Sequence, residues 1–412
     1  MQGDQDLGRR AFLKTGGTGL LGLTLGGCAS RATRLSGFAL RTRLEPVQAK
    51  SERIIRTTVG LRPFRPSGFV VRAERFDARL LIHNYGHGGA GHSLGWGTGL
   101  LAAELASEDE RRRVAVVGCG TVGLTTARQL QRRGFTVTIY AKSLPPNTTS
   151  NMAFAGFTPR SGLVDSDRQT AAWNSQFRQA AEASYRELQL LAGRDYGISW
   201  VPTYALTNDV PRTATQSRPS LVPPQPGWIT LQPGEHPFPS RYATQRPTLR
   251  IEPSIYLDAL IRDFLAFGGR IVIREFDEPR DLWSLYEPII VNCTGLGSRE
   301  LFDDDELIPV KGQLTFLVPQ PGVNYSTRGG VPGGISGGFL HMMPRGDGIA
   351  LGGTAERGVW DMEPNVEASE RILRAHQEMF SRMSPESPIA THLPSTGLRE
   401  APRLESFFDL QS

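Results

Sequence analysis

The segment RVAVVGCGTVGLTTARQLQRRGFTVTIYA, residues 113–141, limits what this chain can fold into more than any other. An apolar run, a Gly-rich turn, an amphipathic stretch and a second apolar run predict strand, tight turn, helix and strand. GCGTVG fits GxGxxG, with Gly118, Gly120 and Gly123. The first glycine makes the turn, the second admits a pyrophosphate, and the third lets helix pack closely on strand. Alone the motif is weak, but its βαβ setting predicts an α/β fold with a dinucleotide-binding, Rossmann-like domain.

A second Gly-rich run, HNYGHGGAGHSLGWG at 83–97, comes earlier in the chain. Its small residues let backbone N–H groups and the start of a helix at 94–106 approach a negatively charged ligand. Residues 53–74 read as strand, loop and strand, and RLLIHNYG as another strand. Beyond the fingerprint, FRQAAEASYRELQLLAG reads as a helix. A Pro-rich stretch at 211–240 reads as a surface loop, and 253–276 as helix, Gly turn and strand. PIIVNCTGLGSREL reads as a buried strand ending in a Gly turn. Strands and connections then run to 354, with a helix at 368–383.

The 412 residues suffice for two domains, and 21% charged with 39% hydrophobic residues indicates a globular chain. The net charge of +5 is spread without a Lys/Arg block beside aromatics, which reads as a solvated surface and not a nucleic-acid site. GRRAFLK at 8–14 resembles a twin-arginine export signal, and the apolar stretch after it is too short for an ordinary membrane span. LGGC, ending at Cys28, resembles a lipoprotein lipobox. The expectation is a periplasmic protein, exported by the twin-arginine route and held to a membrane by a lipid on Cys28. In the body of the chain only Cys119 and Cys293 remain, both at buried strand ends, so no disulfide framework is implied.

GCGTVG, NTTSNMAFAGFTP at 147–159, VNCTGLGSREL, VKGQL and LGGTAERGVW together resemble, in sequence and order, the D-amino-acid oxidase family of FAD-dependent oxidoreductases. RIIRTTVGLRPFRP and IHNYGHGGAGHSLGWG resemble it equally but stand before the fingerprint instead of closing the chain. The expectation is therefore a circular permutation, joined through SEDERRR at 107–113. The resemblance implies a glutathione-reductase-type FAD domain and an α+β substrate domain on a mixed sheet. The expected layout is a signal at 1–28, a linker at 29–52, a permuted FAD and substrate segment at 53–106 and the βαβ unit at 107–160. Substrate-domain segments follow at 161–250 and 302–395, either side of an FAD-domain segment at 251–301, and a partial repeat at 396–412 closes the chain.

The resemblance also implies roles. Gly118, Gly120 and Gly123 cradle the pyrophosphate. Thr148, Thr149 and Ser150 lie beside the phosphates, and Ala155 and Gly156 along the isoalloxazine. Thr294 and Gly295 occupy the family's Cys-Thr-Gly turn, and the backbone of Phe276 falls at an adenine contact, at the adenosine end. There Lys142 replaces the family's acid, so that either Lys142 meets a phosphate or ribose oxygen, or backbone and water hold the ribose. Gly91, His92 and Ser93 open the helix facing the flavin. Arg62 clamps the substrate carboxylate, and the Gly89 carbonyl receives the amine. The places of two family pocket tyrosines hold Gly337 and His341. His341 is open to three readings: lining the pocket, binding a second substrate carboxylate, or an ordinary strand histidine. Arg399, in TGLREAP, echoes Arg62 in VGLRPFR. The implied activity is oxidation of a carboxylate-bearing amine, a D-amino acid, by non-covalent FAD with oxygen as acceptor. A quinone-linked dehydrogenase and an inactive flavin-binding lipoprotein are the alternatives.

Overall fold

The apolar runs around the fingerprint form the middle of a six-stranded sheet. The computed structural model describes residues 43–76, 78–159, 163–211, 228–329 and 340–384. Its first sheet has the order β2 (Val70–Phe76), β3 (Arg79–Tyr85), β10 (Ile289–Asn292), β4 (Arg113–Val117), β5 (Thr136–Ala141) and β9 (Arg270–Ile273). All but β2 run parallel. Parallel strands covered on both faces need continuous apolar sequence, which RVAVV and IIVN supply, and residues 114–117 and 289–292 are buried.

Helix α2 (Thr121–Gln131) connects β4 to β5, and α1 (Gly91–Ser107) packs against both α2 and α3 (Ala171–Leu190). Glycines set how close these helices come. A Cβ on Gly95 would lie 2.8 Å from Thr125 Oγ1, and one on Gly99 3.0 Å from the Thr126 backbone. These two, one turn apart, share the α1 face toward α2. On the other face a Cβ on Gly97 would come within 1.9 Å of the Ala180 carbonyl oxygen in α3. Five residues, 108–112, then join α1 to β4. Helix α4 (Pro253–Ala266) packs on α2 from the far side.

The second sheet is mixed. Its order is β1 (Ile54–Phe64), β11 (Ile308–Leu317), β14 (Gly348–Gly352), β13 (His341–Arg345), β12 (Ser326–Gly329), β6 (Ile198–Thr207), β8 (Tyr242–Ile251) and β7 (Ile229–Leu231). β15 (Glu356–Arg357) adds to β11. Only β12 and β6 pair in parallel. Helix α6 (Val366–Ser381) covers this sheet with Ile372, Met379 and Phe380 against Leu317, Ile349 and Leu351.

The architecture is mixed α/β, as the sequence leads one to expect, with two local corrections. The expected linker over 29–52 is not a linker in its last part. Leu44, Val47 and Ala49 are buried in the second core, and Tyr325 donates to the Glu45 carbonyl at 2.7 Å. Three apolar side chains within six residues have more to gain from burial than from solvent. Within the expected Pro-rich loop, β7 adds an edge strand because Leu231 inserts into that same core. Cys28 and the export segment, Gly337 and Arg399 lie outside the described residues. Among the described residues no helix is long and apolar enough to cross a membrane.

The α1 crossing gives a direct test. Gly97→Ala forces backbone apart and is expected to cost about 3 kcal/mol, read as a lowered denaturation midpoint. Gly134→Ala has no neighbour within 4 Å, only a φ of +79°. That control should cost roughly 1 kcal/mol, the left-handed penalty alone.

Candidate active site

At the end of β4 the chain turns at Gly118 with φ +113°, and a Cβ there would lie 2.4 Å from the Cys293 carbonyl oxygen at the end of β10. A Cβ on Gly123 would lie 2.0 Å from the Gly118 carbonyl oxygen. Neither position tolerates a side chain, so α2 starts hard against both strands. Gly120 is its N-cap, without a capping side chain of its own. Ser150 Oγ, from the following turn, accepts from the Thr121 N–H at 3.0 Å. The remaining N–H groups of this helix end open on a cavity of about 920 Å³ that runs from residues 118–122 to the mixed sheet.

Lining residues along its length include those singled out from the sequence. Thr148, Thr149 and Ser150 sit beside the α2 start, and Thr294 and Gly295 at the end of β10. Thr294 is fixed by Asn292 Oδ1, which accepts from its N–H at 3.1 Å and its hydroxyl at 2.8 Å, ahead of the short helix α5 (Ser298–Leu301). Lys142 follows β5 and Phe276 follows the adjacent β9. Between them Glu275, which sequence reasoning missed, places a carboxylate oxygen 3.1 Å from Lys142 Nζ. The acid absent from the end of β5 is thus present one strand over.

Ala155, with φ +52°, and Gly156 form the opposite wall. The Ser93 hydroxyl is not presented to the cavity for bonding. It donates to the Gly156 carbonyl at 3.1 Å and accepts from Thr158 N–H at 2.9 Å, so it holds that wall in place. Gly91 opens α1, where a Cβ would come 3.0 Å from Thr121 Cγ2, and the α1 and α2 ends therefore meet at the cavity. His92 turns inward. Its Nε2 donates to the Ser150 carbonyl at 2.8 Å, and burial lowers the ring's pKa to about 4. His87, whose Nε2 lies 2.9 Å from the Thr98 hydroxyl, is pushed by burial to about 3.

At the mixed-sheet end Arg62 emerges from β1. A Cβ on Gly89 would lie 2.6 Å from its Cδ, and one on Gly312 2.5 Å from its Nη2. Two glycines therefore bracket the side chain, and Gly89, at φ +95°, also needs its own freedom. Nη1 donates to the Thr354 carbonyl at 3.2 Å. Among the described residues no carboxylate lies within ion-pair distance, and burial lowers the guanidinium pKa. His341 stands in the same wall, edge-on to Phe154 with ring centroids 4.2 Å apart, and against Gly352 and Gly353. The structure thus gathers Arg62, Gly89 and His341 at one end and the fingerprint at the other. Arg328, absent from the sequence reading, lines the cavity beside them.

The family of FAD dependent oxidoreductases designated DAO matches residues 113–408. The chain belongs to this family. Human (Homo sapiens) D-aspartate oxidase is 30% identical over 267 residues, 63% of this chain and 74% of its own length. A D-amino-acid oxidase of Streptomyces coelicolor is 30% identical over 311 residues, 73% of this chain and 88% of its own. Glycine oxidase from Geobacillus kaustophilus superposes with a TM-score of 0.48 at 17% identity, over 66% of this chain and 80% of that one.

The cofactor is FAD, and the cavity fits it. Gly118, Gly120 and Gly123 leave backbone exposed for the pyrophosphate, Glu275 can accept from adenosine hydroxyls, and the 155–156 wall takes a flat ring. Replacing Glu275 with Gln should weaken FAD binding about 3- to 10-fold, the loss of charge on one solvent-exposed acceptor. Fluorescence titration of the stripped protein measures it.

The buried histidines set a pH dependence. His87 and His92 stay neutral in the fold, as does His376, held by burial at about 4. Unfolded, each takes a proton near pH 6.5, so the unfolded state binds more protons between pH 6.5 and about 4. Stability should be full above pH 6.5 and fall as pH drops through that window, by on the order of 1–2 kcal/mol per histidine at pH 5. Urea midpoints at pH 7.5 and 5 test this, and His92→Gln should flatten the difference.

Proposed function

We propose that the protein oxidises a D-amino acid to its imino acid, which water converts to the oxo acid and ammonia. The observation that carries this reading is Arg62, a guanidinium sunk in the FAD cavity with no carboxylate partner among the described residues. A buried unpaired charge is costly, and a substrate carboxylate satisfies it through two parallel hydrogen bonds that fix position and angle together. The Gly89 carbonyl, held beside the Arg62 stem, is suited to accept from the substrate amine. FAD supplies the two-electron acceptor for the hydride leaving the substrate carbon. This chain's part is placement, with the carboxylate and amine anchored so that the carbon faces the 155–156 wall. The N-terminus of α1 lies at the cavity and favours negative charge there.

Oxygen is the proposed acceptor, giving hydrogen peroxide, with a membrane quinone as the second reading if Cys28 carries a lipid. Turnover in air against anaerobic turnover with a quinone analogue separates the two. Periplasmic location through the twin-arginine signal belongs to the same proposal, and Cys28→Ser should then leave the membrane fraction. The order of segments supports a circular permutation: the family match begins at 113, while β3 and α1 pack against β10 and α2 from upstream. FAD is proposed to be non-covalent, because burial pushes both cavity thiols, Cys119 and Cys293, up to about 12. Acid precipitation should release it.

The decisive experiment is anaerobic flavin bleaching across D-amino acids, glycine and N-methyl amino acids. Arg62→Ala should lose about 2–5 kcal/mol of transition-state binding, roughly 30- to 4,000-fold in kcat/KM, with Arg399→Ala near wild type. A crippled Arg399→Ala beside an active Arg62→Ala overturns the assignment, and the absence of bleaching by every amine tested supports an inactive flavin-binding protein.

A further inference from the structure

We propose that the end of the mixed sheet where β1 begins rests on a lipid bilayer, with Ile54, Ile55 and Val318 set among the headgroups. The inference rests on the reading of Cys28 as a lipid-bearing residue.

β1 is an edge strand of its sheet and begins with two consecutive isoleucines. Successive side chains of a strand point to opposite faces, so one of such a pair is normally turned into the fold. Here the register with β11 shifts. Ile54 stands opposite Leu317 and Arg56 opposite Phe316, which leaves Ile55 as the extra residue of a bulge. A bulge re-aims its side chain, and Ile54 is left 38% exposed and Ile55 48% exposed. Val318 adjoins them at the end of β11, 38% exposed, its N–H donating to the Arg53 carbonyl at 2.8 Å. Pro319 and Pro321 extend the same exposed apolar surface.

This face is also where the chain enters the described fold. The Gln48 N–H donates to the Gln320 side-chain oxygen at 2.9 Å, and Gln320 Nε2 donates back to the Pro46 carbonyl at 3.1 Å. With the bond from Tyr325 to Glu45, residues 45–48 are laid along 320–325, beside Val318. Fourteen residues, 29–42, separate Cys28 from Arg43, a reach of at most about 50 Å. A lipid on Cys28 therefore keeps this face at high effective concentration beside the bilayer. The lipid holds the protein to the membrane without orienting it, and the apolar side chains next to the attachment supply the second contact. Charge contributes little, since Arg43, Lys50 and Arg53 are set against Glu45 and Glu52. With this end on the lipid, Arg62 stands eight residues further along β1, about 26 Å from Ile54. The carboxylate clamp is thus clear of the headgroups, and substrate reaches it from water.

The mature lipidated protein, carrying one added cysteine at Ile55, Val318 or Met362, can be labelled with a fluorophore there, because Cys119 and Cys293 are buried. Met362, half-exposed beside the Asp361 that pairs with Lys311, is the control toward the other end of β11. The vesicles are phosphatidylethanolamine and phosphatidylglycerol with nitroxide-bearing lipids. Labels at Ile55→Cys and Val318→Cys should lose most of their emission, and the label at Met362→Cys almost none. High salt should leave that difference intact. Equal loss at all three positions, or no loss at 55 and 318, overturns the lipid-facing assignment, while a lipid found on Cys28 by mass spectrometry leaves the anchor standing. An unlipidated mature mass removes the anchor and this proposal with it. If Ile55→Cys does not retain FAD, Val318→Cys against Met362→Cys decides alone.

Discussion

Everything functional in this molecule hangs on the approach of α2 to the ends of β4 and β10. Gly118 and Gly123 close that seam, where a single added methyl group would sit inside the Cys293 or Gly118 carbonyl. Because the helix starts so close, its N-terminal N–H groups face outward instead of into a loop. The turn at 148–150, the 155–156 wall and the α1 N-terminus are then arranged around the same opening. The hydrogen bonds from Thr121 to Ser150, His92 to Ser150 and Ser93 to Gly156 link these pieces in series. The site is thus framed by backbone geometry first and side-chain chemistry second.

The same logic explains what could be read in the sequence. The strand–turn–helix at 113–131 was legible because its requirement is local, with three glycines at fixed spacing inside a periodic pattern. Arg62 and Gly89 were legible only through family resemblance, and the structure adds the reason they belong together: the glycine vacates the space through which the arginine passes. Glu275 and Arg328 could not be found this way. Glu275 matters because β9 pairs with β5 across about 130 residues, which sets it beside Lys142. Arg328 stands at the cavity because β12 pairs with β13 beside His341, a neighbourhood that no local sequence pattern announces. Leu44, Val47 and Ala49 looked like part of a linker since three apolar residues carry no period long enough to identify a buried segment.

The cavity also shows a division of charge. Two arginines, Arg62 and Arg328, line the mixed-sheet end. The imidazoles of His87 and His92, a few residues from Gly89, are kept neutral by burial. The charge at that end near neutral pH therefore comes from arginine and not from these two imidazoles. A binding site built on arginine keeps its charge where one built on histidine would lose it.

The pairing of β1 with β11, and of β3 with β10, has a consequence for how the chain is made. The strand that carries Arg62 emerges from the ribosome well before the strand it pairs with, Ile308–Leu317, some 250 residues later. β3 waits almost as long for Ile289–Asn292. Contacts of such sequence separation form late and slowly. β1 and the β10-facing edge of β3 must therefore remain unpaired, and in need of protection from aggregation, until residues 289–317 have been synthesised.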